Sequence, residues 1–443
     1  MYLLYSLALA LALVVSAPWW LWRMLRHHKY RHRLGERLGR VPPRILGAGV
    51  PAAGCVWVHA VSVGEVLAVS ELIRELRRRI PGHRVVVSTT TFTGQKLAGE
   101  RFGEENVFYF PLDFAFAVRA YLRALRPELV VLAETEFWPN FLRLAKESGA
   151  RVAVVNARIS DRSLPGYLRW RGLLTGVLRN VDLFLAQSGE DSWRLVKIGA
   201  EPERVRVAGN LKFDAKASTA SAGTELVRAA LERGRARPVI VCGSTLDGEE
   251  AILRRAFEAV YSHYPAAVMV LAPRHPERFE EVCRQMEASG LRWWRRSQLN
   301  SSDAVQGGLL VLDTLGELAS VYGLASLALV GGSLVPRGGH NILEPAQHGV
   351  PILVGPHTEN FRDIISIFTR AEALRVVTPE NVADAMIEFV ADDAARAALG
   401  RRGAEVFRAQ AGATARTVAA LESLLASAAE PASTQPVAEK AAR

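Results

Sequence analysis

The sequence is poor in cysteine and has none of the glycine-rich nucleotide motifs. Its three cysteines, Cys55, Cys242 and Cys283, lie far apart in the 443 residues. Without paired spacing they form neither a zinc site nor a disulfide framework, and we interpret them as reduced core thiols in a cytosolic setting. A Walker loop and a Gly-x-Gly-x-x-Gly motif are also missing, which argues against ATP and NAD chemistry. No cluster has metal-ligand spacing, so we expect neither a metal ion nor a cofactor.

Charge is missing from the start of the chain. No side chain from Met1 to Trp22 is charged, and about 20 helical residues span the roughly 30 Å of a bilayer's hydrocarbon. Trp19, Trp20 and Trp22 stand where an interfacial aromatic belt is expected. A cleaved signal peptide needs positive charge before its apolar core, and this sequence has none there. Residues 1–22 are therefore predicted to be one uncleaved membrane anchor.

Positive charge is concentrated directly after this anchor. The segment from residue 23 to residue 40 contributes +6 of the net charge of +10. Its charged residues are Arg23, Arg26, Lys29, Arg31, Arg33, Arg37 and Arg40, with Glu36 as the one acid. Cations there predict a single-pass membrane protein with the rest of the chain on the cytoplasmic side, and with the basic block held on anionic lipids. The pI near 9.8 leaves a membrane-tethered nucleotide or nucleic-acid binder as an alternative. Charge is spread evenly elsewhere, so we expect no nucleic-acid partner.

Apolar runs alternate with helical patterns through the rest of the chain. In the first half, strands are predicted at 55–60, 84–88, 128–133, 150–155 and 183–186, with a helix from about residue 64 to residue 80. In the second half, they are predicted at 238–242, 267–271, 308–312, 324–330 and 352–354. This alternation predicts parallel sheets covered on both faces.

Composition divides the chain into segments. Residues 23–48 form the basic juxtamembrane segment and a Pro/Gly/Ala linker, 49–214 a first Rossmann-like domain, and 224–426 a second one. The Ala/Ser/Thr-rich stretch between the two is the predicted linker, and the tail 427–443 is predicted to be disordered. Polar motifs follow most of the strands, and ligands bind at the carboxyl ends of strands in open parallel sheets. We therefore predict an α/β protein of the GT-B architecture, with two doubly wound domains facing a cleft after one membrane helix.

A glycine-rich loop follows the predicted strand 324–330. Gly331 and Gly332 end this strand, and Gly338 and Gly339 precede a segment that resembles a helix start. Glycines admit close approach of a ligand, and helix N-termini attract phosphate, so we interpret the loop as a nucleotide-phosphate site. Asn341 and Glu344 are predicted to share a helical face that holds ribose hydroxyls. A tight strand-to-helix turn without a ligand is the alternative.

Carboxylates mark two further strand ends. Glu65 follows a predicted strand-to-helix turn, where a general base can project towards a substrate; the alternative is a first-turn glutamate that interacts with the helix dipole. Glu134 and Glu136 bracket Thr135 after a buried run, and alternate residues of an extended strand share a face. Two nearby carboxylates raise each other's pKa unless a cation intervenes. The alternative is that one of them caps a helix or pairs with an arginine.

Two cations are candidates for binding an anionic substrate. Lys212 lies just before the predicted interdomain linker, where it is either a substrate contact or an ordinary surface lysine. Arg274 follows the predicted strand 267–271, and a guanidinium binds phosphate through two parallel hydrogen bonds. The alternative for Arg274 is a structural ion pair with Glu277.

Six motifs together resemble the 3-deoxy-D-manno-octulosonic acid (Kdo) transferases of Gram-negative bacteria. The resemblance extends from the anchor to about residue 420, with mild departures at Phe137 and Ala157. The motifs are Ser62-Val63-Gly64-Glu65, Glu134-Thr135-Glu136-Phe137-Trp138-Pro139, Asn156-Ala157-Arg158-Ile159-Ser160, Gly209-Asn210-Leu211-Lys212-Phe213-Asp214, Pro273-Arg274-His275-Pro276-Glu277-Arg278 and Gly338-Gly339-His340-Asn341-Ile342-Leu343-Glu344-Pro345.

The resemblance implies an inverting glycosyltransferase that moves Kdo from CMP-Kdo to a lipid A precursor, lipid IVA, in lipopolysaccharide core biosynthesis. It implies that Glu65 is the general base and that Glu134 and Lys212 stabilise the transition state. The residues that it implies for CMP binding are Pro273, Arg274, Leu315, Gly316, Glu317, Asn341, Ile342, Leu343 and Glu344. A GT-B transferase or epimerase that uses UDP-sugars is the alternative enzyme.

Overall fold

The structure of the protein, a computed structural model, describes residues 1–27, 33–47, 54–214 and 221–429. The chain forms two compact units. The first comprises Met1–Ala215 together with Ala411–Arg443, and the second comprises Lys216–Gln410. Each unit contains a seven-stranded sheet whose strand pairs are all parallel.

The first unit is built on a sheet with the strand order β3-β2-β1-β4-β5-β6-β7. Its strands are β1 (Cys55–His59), β2 (Arg84–Thr89), β3 (Val107–Tyr109), β4 (Pro127–Ala133), β5 (Arg151–Ala157), β6 (Leu183–Ala186) and β7 (Val205–Val207). Both faces are buried: Trp57 packs with Phe108 and Phe141 on one face, and Val56 packs with Leu72 on the other. Successive side chains of a strand face opposite sides of the sheet. Because both sides are buried here, the central strands are nearly continuous hydrophobic runs.

Helices cover both faces of this sheet. They are α1 (Tyr2–His27), α2 (Leu34–Arg37), α3 (Pro43–Leu46), α4 (Val63–Arg79), α5 (Phe92–Phe102), α6 (Ala115–Leu125), α7 (Pro139–Glu147), α8 (Leu164–Arg169), α9 (Arg171–Leu178), α10 (Gly189–Ile198) and, at the end of the chain, α19 (Ala413–Ala429). In α4 the residues Val66, Val69, Ile73 and Leu76 are buried. Their spacing of three or four places them along one helical stripe, which packs on the sheet.

The second unit repeats this plan with the strand order β10-β11-β9-β8-β12-β13-β14. Its strands are β8 (Val239–Thr245), β9 (Val268–Pro273), β10 (Trp293–Arg295), β11 (Gly308–Val311), β12 (Leu327–Val330), β13 (Ile352–Val354) and β14 (Arg375–Val376). Its helices are α11 (Ala222–Arg233), α12 (Glu249–His263), α13 (Phe279–Glu287), α14 (Leu318–Val321), α15 (Leu343–Gln347), α16 (Arg362–Arg370), α17 (Val382–Ala391) and α18 (Asp393–Gln410). The predicted fold class, with two Rossmann-like sheets of the GT-B type, is confirmed.

The predicted strands are all present, and four short ones were missed. The missed strands β3, β7, β10 and β14 have only two or three residues each. A run that short shows no periodicity, so the sequence pattern cannot reveal it. The strand predicted at 324–330 begins at Leu327, because residues 322–324 form a 3₁₀ turn.

The boundary of the second domain differs from the prediction of 224–426. Residues from Ala411 onwards belong to the first unit, where Val418 and Leu421 of α19 are buried in the core beside α4. Asp214 accepts a hydrogen bond from Gly412 N at 2.6 Å and a second one from Thr414 N, which fixes the start of α19. The predicted disordered tail is wrong at residues 427–429, which are helical; residues 430–443 lie outside the described part of the chain.

The segment before the first sheet is also more ordered than the linker predicted within 23–48. The carboxylate of Glu36 accepts hydrogen bonds from Tyr109 N at 3.0 Å and from Arg44 Nη2 at 2.8 Å. Ile45 of α3 is buried in the core. Residues 34–46 therefore belong to the first unit, while Lys29, Arg31 and residues 48–53 lie outside the described residues.

One described helix is long and apolar enough to cross a membrane. It is α1. Its segment Tyr2–Trp19 has a mean hydropathy of 1.8, and no residue of this segment is buried inside the protein. The anchor predicted at 1–22 lies within this helix, which continues to His27. This supports membrane association of the chain.

Because α19 completes the core of the first unit, we expect Leu421→Ala to lower the free energy of unfolding by about 2–4 kcal/mol, the usual cost of a buried leucine-to-alanine change. The control is Ser423→Ala on the exposed side of α19, which we expect to change it by less than about 0.5 kcal/mol. Urea denaturation of the full chain measures both. Equal stabilities of the two variants would contradict the assignment of α19 to the core.

Candidate active site

Glu65 lies in the first turn of α4, just beyond the carboxyl end of β1. Ser62 is the N-cap residue, and its hydroxyl accepts a hydrogen bond from Glu65 N at 3.4 Å. The Glu65 carboxylate accepts hydrogen bonds from Val61 N at 2.8 Å and from Ser62 Oγ at 2.9 Å. The arrangement resembles a capping box, with the N–H of Val61 in place of the N–H of the N-cap residue Ser62. The alternative of a glutamate that acts at the start of the helix is therefore realised in part. The same bonds fix the direction of the carboxylate.

Burial, assisted by the negative charges of Glu134 and Glu136, raises the pKa of Glu65 to about 7, although the hydrogen bonds from Val61 and Ser62 oppose that rise. Desolvation has this effect because it disfavours the charged form. A carboxyl group with a pKa near neutrality is half ionised at the working pH, which suits a general base. Glu65 therefore combines a fixed orientation with a suitable proton affinity.

Glu134 and Lys212 form an ion pair in the same unit as Glu65. Lys212 Nζ lies 3.6 Å from Glu134 Oε1, and both side chains are about one-quarter exposed, at 25% and 29%. Glu134 directly follows β4, and β4 pairs with β1. The structure thus brings the three predicted catalytic residues to one edge of one sheet, with a cation beside the carboxylates.

Glu136 has a different environment from Glu134. It accepts a hydrogen bond from Trp138 Nε1 at 2.8 Å, and burial raises its pKa. The prediction that the two glutamates share a strand face assumed an extended backbone, but Glu134 has φ = 57°. That left-handed conformation costs a non-glycine residue roughly 1–3 kcal/mol and is typical of functional positions.

The loop that carries Lys212 is held at several points. Asn156, at the end of β5, accepts a hydrogen bond from Leu211 N at 3.0 Å through Oδ1, and Asn210 accepts one from Lys212 N at 3.0 Å. Asp214 closes the loop by capping α19. No positioning role for Asn156 or Asn210 was predicted. Their sequence signal is an amide directly after an apolar run, which does not reveal which backbone group it contacts.

In the second unit, a buried carboxylate organises the glycine loop. Glu249, at the start of α12, accepts four backbone hydrogen bonds, from Leu246 N at 2.9 Å, Gly332 N at 2.7 Å, Ser333 N at 3.0 Å and Leu334 N at 2.9 Å. Gly331 N donates to Gly243 O at 2.8 Å. These N–H groups have partners inside the protein. The prediction assigned phosphate binding to the glycine loop as a whole. From Gly331 to Leu334 the N–H groups of this loop are already taken, and a protein carboxylate stands where a ligand anion would accept them.

The second glycine pair leads into α15, which begins only at Leu343. Asn341 lies before this helix, so it does not share a helical face with Glu344 as predicted. Its side chain instead accepts a hydrogen bond from Leu343 N at 3.2 Å and donates one to Glu344 Oε1 at 3.5 Å. Ile342 and Leu343 are buried in the core. These two residues can therefore offer a ligand only their backbone groups.

Arg274 follows β9, which ends at Pro273, and its backbone N–H donates to Thr245 O at 2.9 Å. Burial raises the pKa of Glu344, and the charge of Arg274 together with the Asn341 hydrogen bond opposes that rise. Burial, and then the charges of Arg274 and His275, lower the pKa of His340 to about 4. His340 is therefore neutral near pH 7. Its Nε2 is buried without a hydrogen-bond partner in the described part of the chain.

The predicted alternative for Arg274 is not realised. No ion pair joins Arg274 to Glu277 among the described residues. The structural ion pair belongs to Arg278, whose Nη1 lies 2.8 Å from Glu250 Oε1. The structure thus leaves the guanidinium of Arg274 beside a neutral histidine and a carboxyl group, where it can bind an anion.

The last predicted binding segment follows β11. Leu315 is 73% exposed, and Gly316 has φ = 83° with open space where a side chain would stand. The carboxylate of Glu317 is held by Arg296 through two hydrogen bonds of 2.8 Å each. In the described ranges, no three His, Cys, Asp or Glu side chains come together as metal ligands.

Three comparisons with known proteins bear on this site. The family model described as 3-deoxy-D-manno-octulosonic-acid transferase matches residues 32–215. The 3-deoxy-D-manno-octulosonic acid transferase of Bordetella pertussis is 37% identical over 92% of this chain and 95% of its own length. The protein of the same name from Haemophilus influenzae is 31% identical over 90% of this chain and 92% of its own.

Among solved structures, the UDP-GlcNAc 2-epimerase of Neisseria meningitidis bound to UDP-GlcNAc covers 83% of this chain and 100% of its own, with a TM-score of 0.59 and 12% identity. That degree of likeness shows a shared fold and nothing about the substrate. The relatives from Bordetella and Haemophilus are far more similar and match almost the full length. With 37% identity over 92% of its length, the chain belongs to the 3-deoxy-D-manno-octulosonic acid transferase family, a family of glycosyltransferases of lipopolysaccharide biosynthesis.

Proposed function

We propose that this Kdo transferase moves Kdo from CMP-Kdo to a lipid A precursor, lipid IVA, with inversion at the anomeric carbon. The observation that carries the proposal is Glu65, whose pKa of about 7 and fixed carboxylate suit a general base. The resemblance of the six motifs to the family supports the choice of donor and acceptor.

The proposed reaction is a single displacement. Glu65 accepts the proton of the acceptor hydroxyl, whose oxygen forms a bond to the anomeric carbon of Kdo. The bond from that carbon to the phosphate oxygen of CMP breaks, and CMP leaves with the electron pair. One base suffices for inversion, whereas a retaining reaction also needs a nucleophile.

Lys212 and Glu134 stabilise the charges of the substrate and of the transition state. The ammonium group of Lys212 attracts the Kdo carboxylate, and Glu134, 3.6 Å away, holds that ammonium group in place. A carboxylate also stabilises the positive charge that grows on the sugar ring as the bond to phosphate breaks. This assignment accounts for why an ion pair stands beside the proposed base.

The donor residues belong to the second unit. Arg274 after Pro273 would bind the phosphate, because its guanidinium lies beside His340, which is neutral. Asn341 and Glu344 would hold the ribose hydroxyls, with the backbone of Ile342 and Leu343 between them. Leu315, Gly316 and Glu317 would contact the cytosine, supported by the exposed leucine and the open space at the glycine.

The acceptor explains the N-terminal sequence. A lipid substrate is met at a membrane, and α1 is the apolar helix that would hold the protein there. The excess of +6 between residues 23 and 40 favours the anionic, cytoplasmic surface of the inner membrane.

The reaction is tested by measuring CMP release from CMP-Kdo by the purified protein, with and without lipid IVA. We expect release that depends on the acceptor and falls roughly 10²-fold or more in Glu65→Gln, the usual scale for loss of a general base. The matched control is Glu75→Gln in the same helix, whose carboxylate accepts hydrogen bonds from the exposed Arg78. No release by a folded protein, or release with a UDP-sugar instead, would overturn the proposal.

The pH profile tests the base separately. The pKa of Glu65 is raised to about 7, so the carboxyl group is protonated at low pH and ionises as the pH rises through 7. We expect kcat/KM to rise with pH, with a midpoint near 7, and the midpoint to fall in Glu136→Gln because the negative charge of Glu136 raises the pKa of Glu65. A profile that stays flat between pH 5.5 and 8 would remove Glu65 from this role.

Arg274→Ala tests the phosphate contact. A charge-assisted hydrogen bond contributes about 1.5–3 kcal/mol, so CMP binding should weaken by roughly 10- to 150-fold. Isothermal titration calorimetry with CMP measures this, and Arg284→Ala on the exposed side of α13 is the control. Unchanged affinity in Arg274→Ala would contradict a phosphate contact.

A further inference from the structure

The contacts of α1 conflict with a helix that crosses a bilayer. Near its start, Tyr2 Oη donates to Gly176 O at 3.4 Å and accepts from Asn180 Nδ2 at 3.2 Å. One turn later, Ser6 Oγ accepts from Asn140 Nδ2 at 3.0 Å. The first two turns of α1 are thus bound to α7, to α9 and to Asn180, two residues after the end of α9, all within the first unit.

The segment that follows α1 is bound to the same unit. Arg33 Nη2 lies 3.2 Å from Glu104 Oε2, and Glu36 accepts the hydrogen bond from Tyr109 N. A spanning helix has its two ends on opposite sides of roughly 30 Å of hydrocarbon. The unit holds Arg33 and Glu36, which follow α1 in the chain, so it could not also contact the first two turns of a helix that crossed the membrane. These contacts are therefore compatible only with a helix that lies along the first unit.

The two sides of α1 differ in polarity. Between residues 2 and 19, where the structure describes the side chains of α1, the polar residues Tyr2, Tyr5, Ser6 and Ser16 are partly covered. The exposed side of this part is apolar: Leu3, Leu4, Leu7, Leu11, Val14 and Val15 are 58–74% exposed and recur with helical spacing. A helix with one apolar side and one side turned to polar partners is suited to lie in the plane of an interface.

A second apolar surface continues from this helix. Leu168, Trp170 and Leu173, in and between α8 and α9, are 42%, 62% and 52% exposed. Leu173 and Gly176 are three residues apart in α9, so they lie on the same side of that helix, where α1 makes contact. An exposed tryptophan beside leucines is typical of membrane-interface contacts.

The charge around this surface is of one sign. No Asp or Glu occurs between Arg162 and Val181, and Arg162, Arg169 and Arg171 are all exposed. Arginines that flank apolar side chains attract anionic lipid headgroups while the apolar side chains enter the leaflet. We call these exposed residues, Leu168, Trp170 and Leu173 with Arg162, Arg169 and Arg171, the α8–α9 surface. Its apolar side chains and positive charge are complementary to an anionic membrane.

We propose that α1 lies in the plane of one anionic leaflet, along the first unit, and that the α8–α9 surface enters the same leaflet beside it. The sequence predicts that this helix passes through the bilayer, whereas under this proposal the protein is monotopic and enters only one leaflet. This proposal stands on contacts and exposure alone and does not depend on the acceptor or the reaction.

Nitroxide depth measurement on the full chain tests this. The three native cysteines are buried, so single exposed cysteines can be labelled selectively. We would label Leu3→Cys, Leu11→Cys, Val15→Cys and Trp170→Cys, with Glu100→Cys on the exposed side of α5 as the water-facing control. The labelled chains are reconstituted in vesicles of phosphatidylethanolamine with phosphatidylglycerol, and their thermal unfolding midpoints are compared with that of the unlabelled chain.

An in-plane helix gives similar, shallow depths at positions 3, 11 and 15, and immersion of the label at position 170. A spanning helix gives its greatest depth at position 11, with position 3 shallow again and the label at position 170 as accessible to water-soluble quencher as the control. The second result would overturn the proposal.

Vesicles of phosphatidylcholine alone test the role of the arginines. Without anionic headgroups we expect the label at position 170 to be as accessible to water-soluble quencher as the control. Full immersion of that label would contradict the proposed attraction of the arginines to anionic lipids.

Discussion

The parallel pairing of β1 with β4 is the constraint on which the candidate active site depends. It aligns His59 with Leu132, so the two strands end at the same edge of the sheet. Glu65 follows the first strand end in the first turn of α4, and Glu134 follows the second. Nothing in the local sequence of either residue brings them together; the hydrogen-bond ladder between two buried strands does. The raised pKa of Glu65 is then a consequence of that edge, because burial and the neighbouring carboxylates both act there.

The position of Lys212, the third residue of the candidate active site, depends on the C-terminal helix α19. Lys212 belongs to a loop that is held by Asn156 on one side and by Asp214 on the other, and Asp214 is fixed because it caps α19. The last helix returns to the first unit and is buried there through Val418 and Leu421. Folding of a C-terminal helix thus supports the position of a cation about 200 residues earlier in the sequence. A flexible loop could not hold an ammonium group at a fixed distance from Glu134 without such support.

The sequence predicted those parts that local patterns determine. Long apolar runs identified the central strands, and polar motifs at their ends identified Glu65, Glu134 and Arg274 as candidates, since strand ends share one edge in any parallel sheet. Lys212 became a candidate through its position just before the predicted interdomain linker. The prediction failed where the conformation or the hydrogen-bond partners of a residue depend on residues that are distant in the sequence. The left-handed backbone of Glu134, the capping of α19 by Asp214 and the four N–H groups around Glu249 all depend on contacts between segments far apart in the chain. No helix or strand period contains such information.

Glu249 shows how one such contact changes the chemistry of a whole site. Glycine-rich loops commonly present free N–H groups to phosphate, but here a protein carboxylate already accepts three of them. The loop is consequently rigid without a ligand, and its backbone has no capacity left at those positions for a nucleotide. In the proposed donor site the phosphate would therefore be bound by a side chain rather than by the backbone of residues 331–334. The guanidinium of Arg274 is suited to this, because the neutral state of His340 removes a competing positive charge from its surroundings.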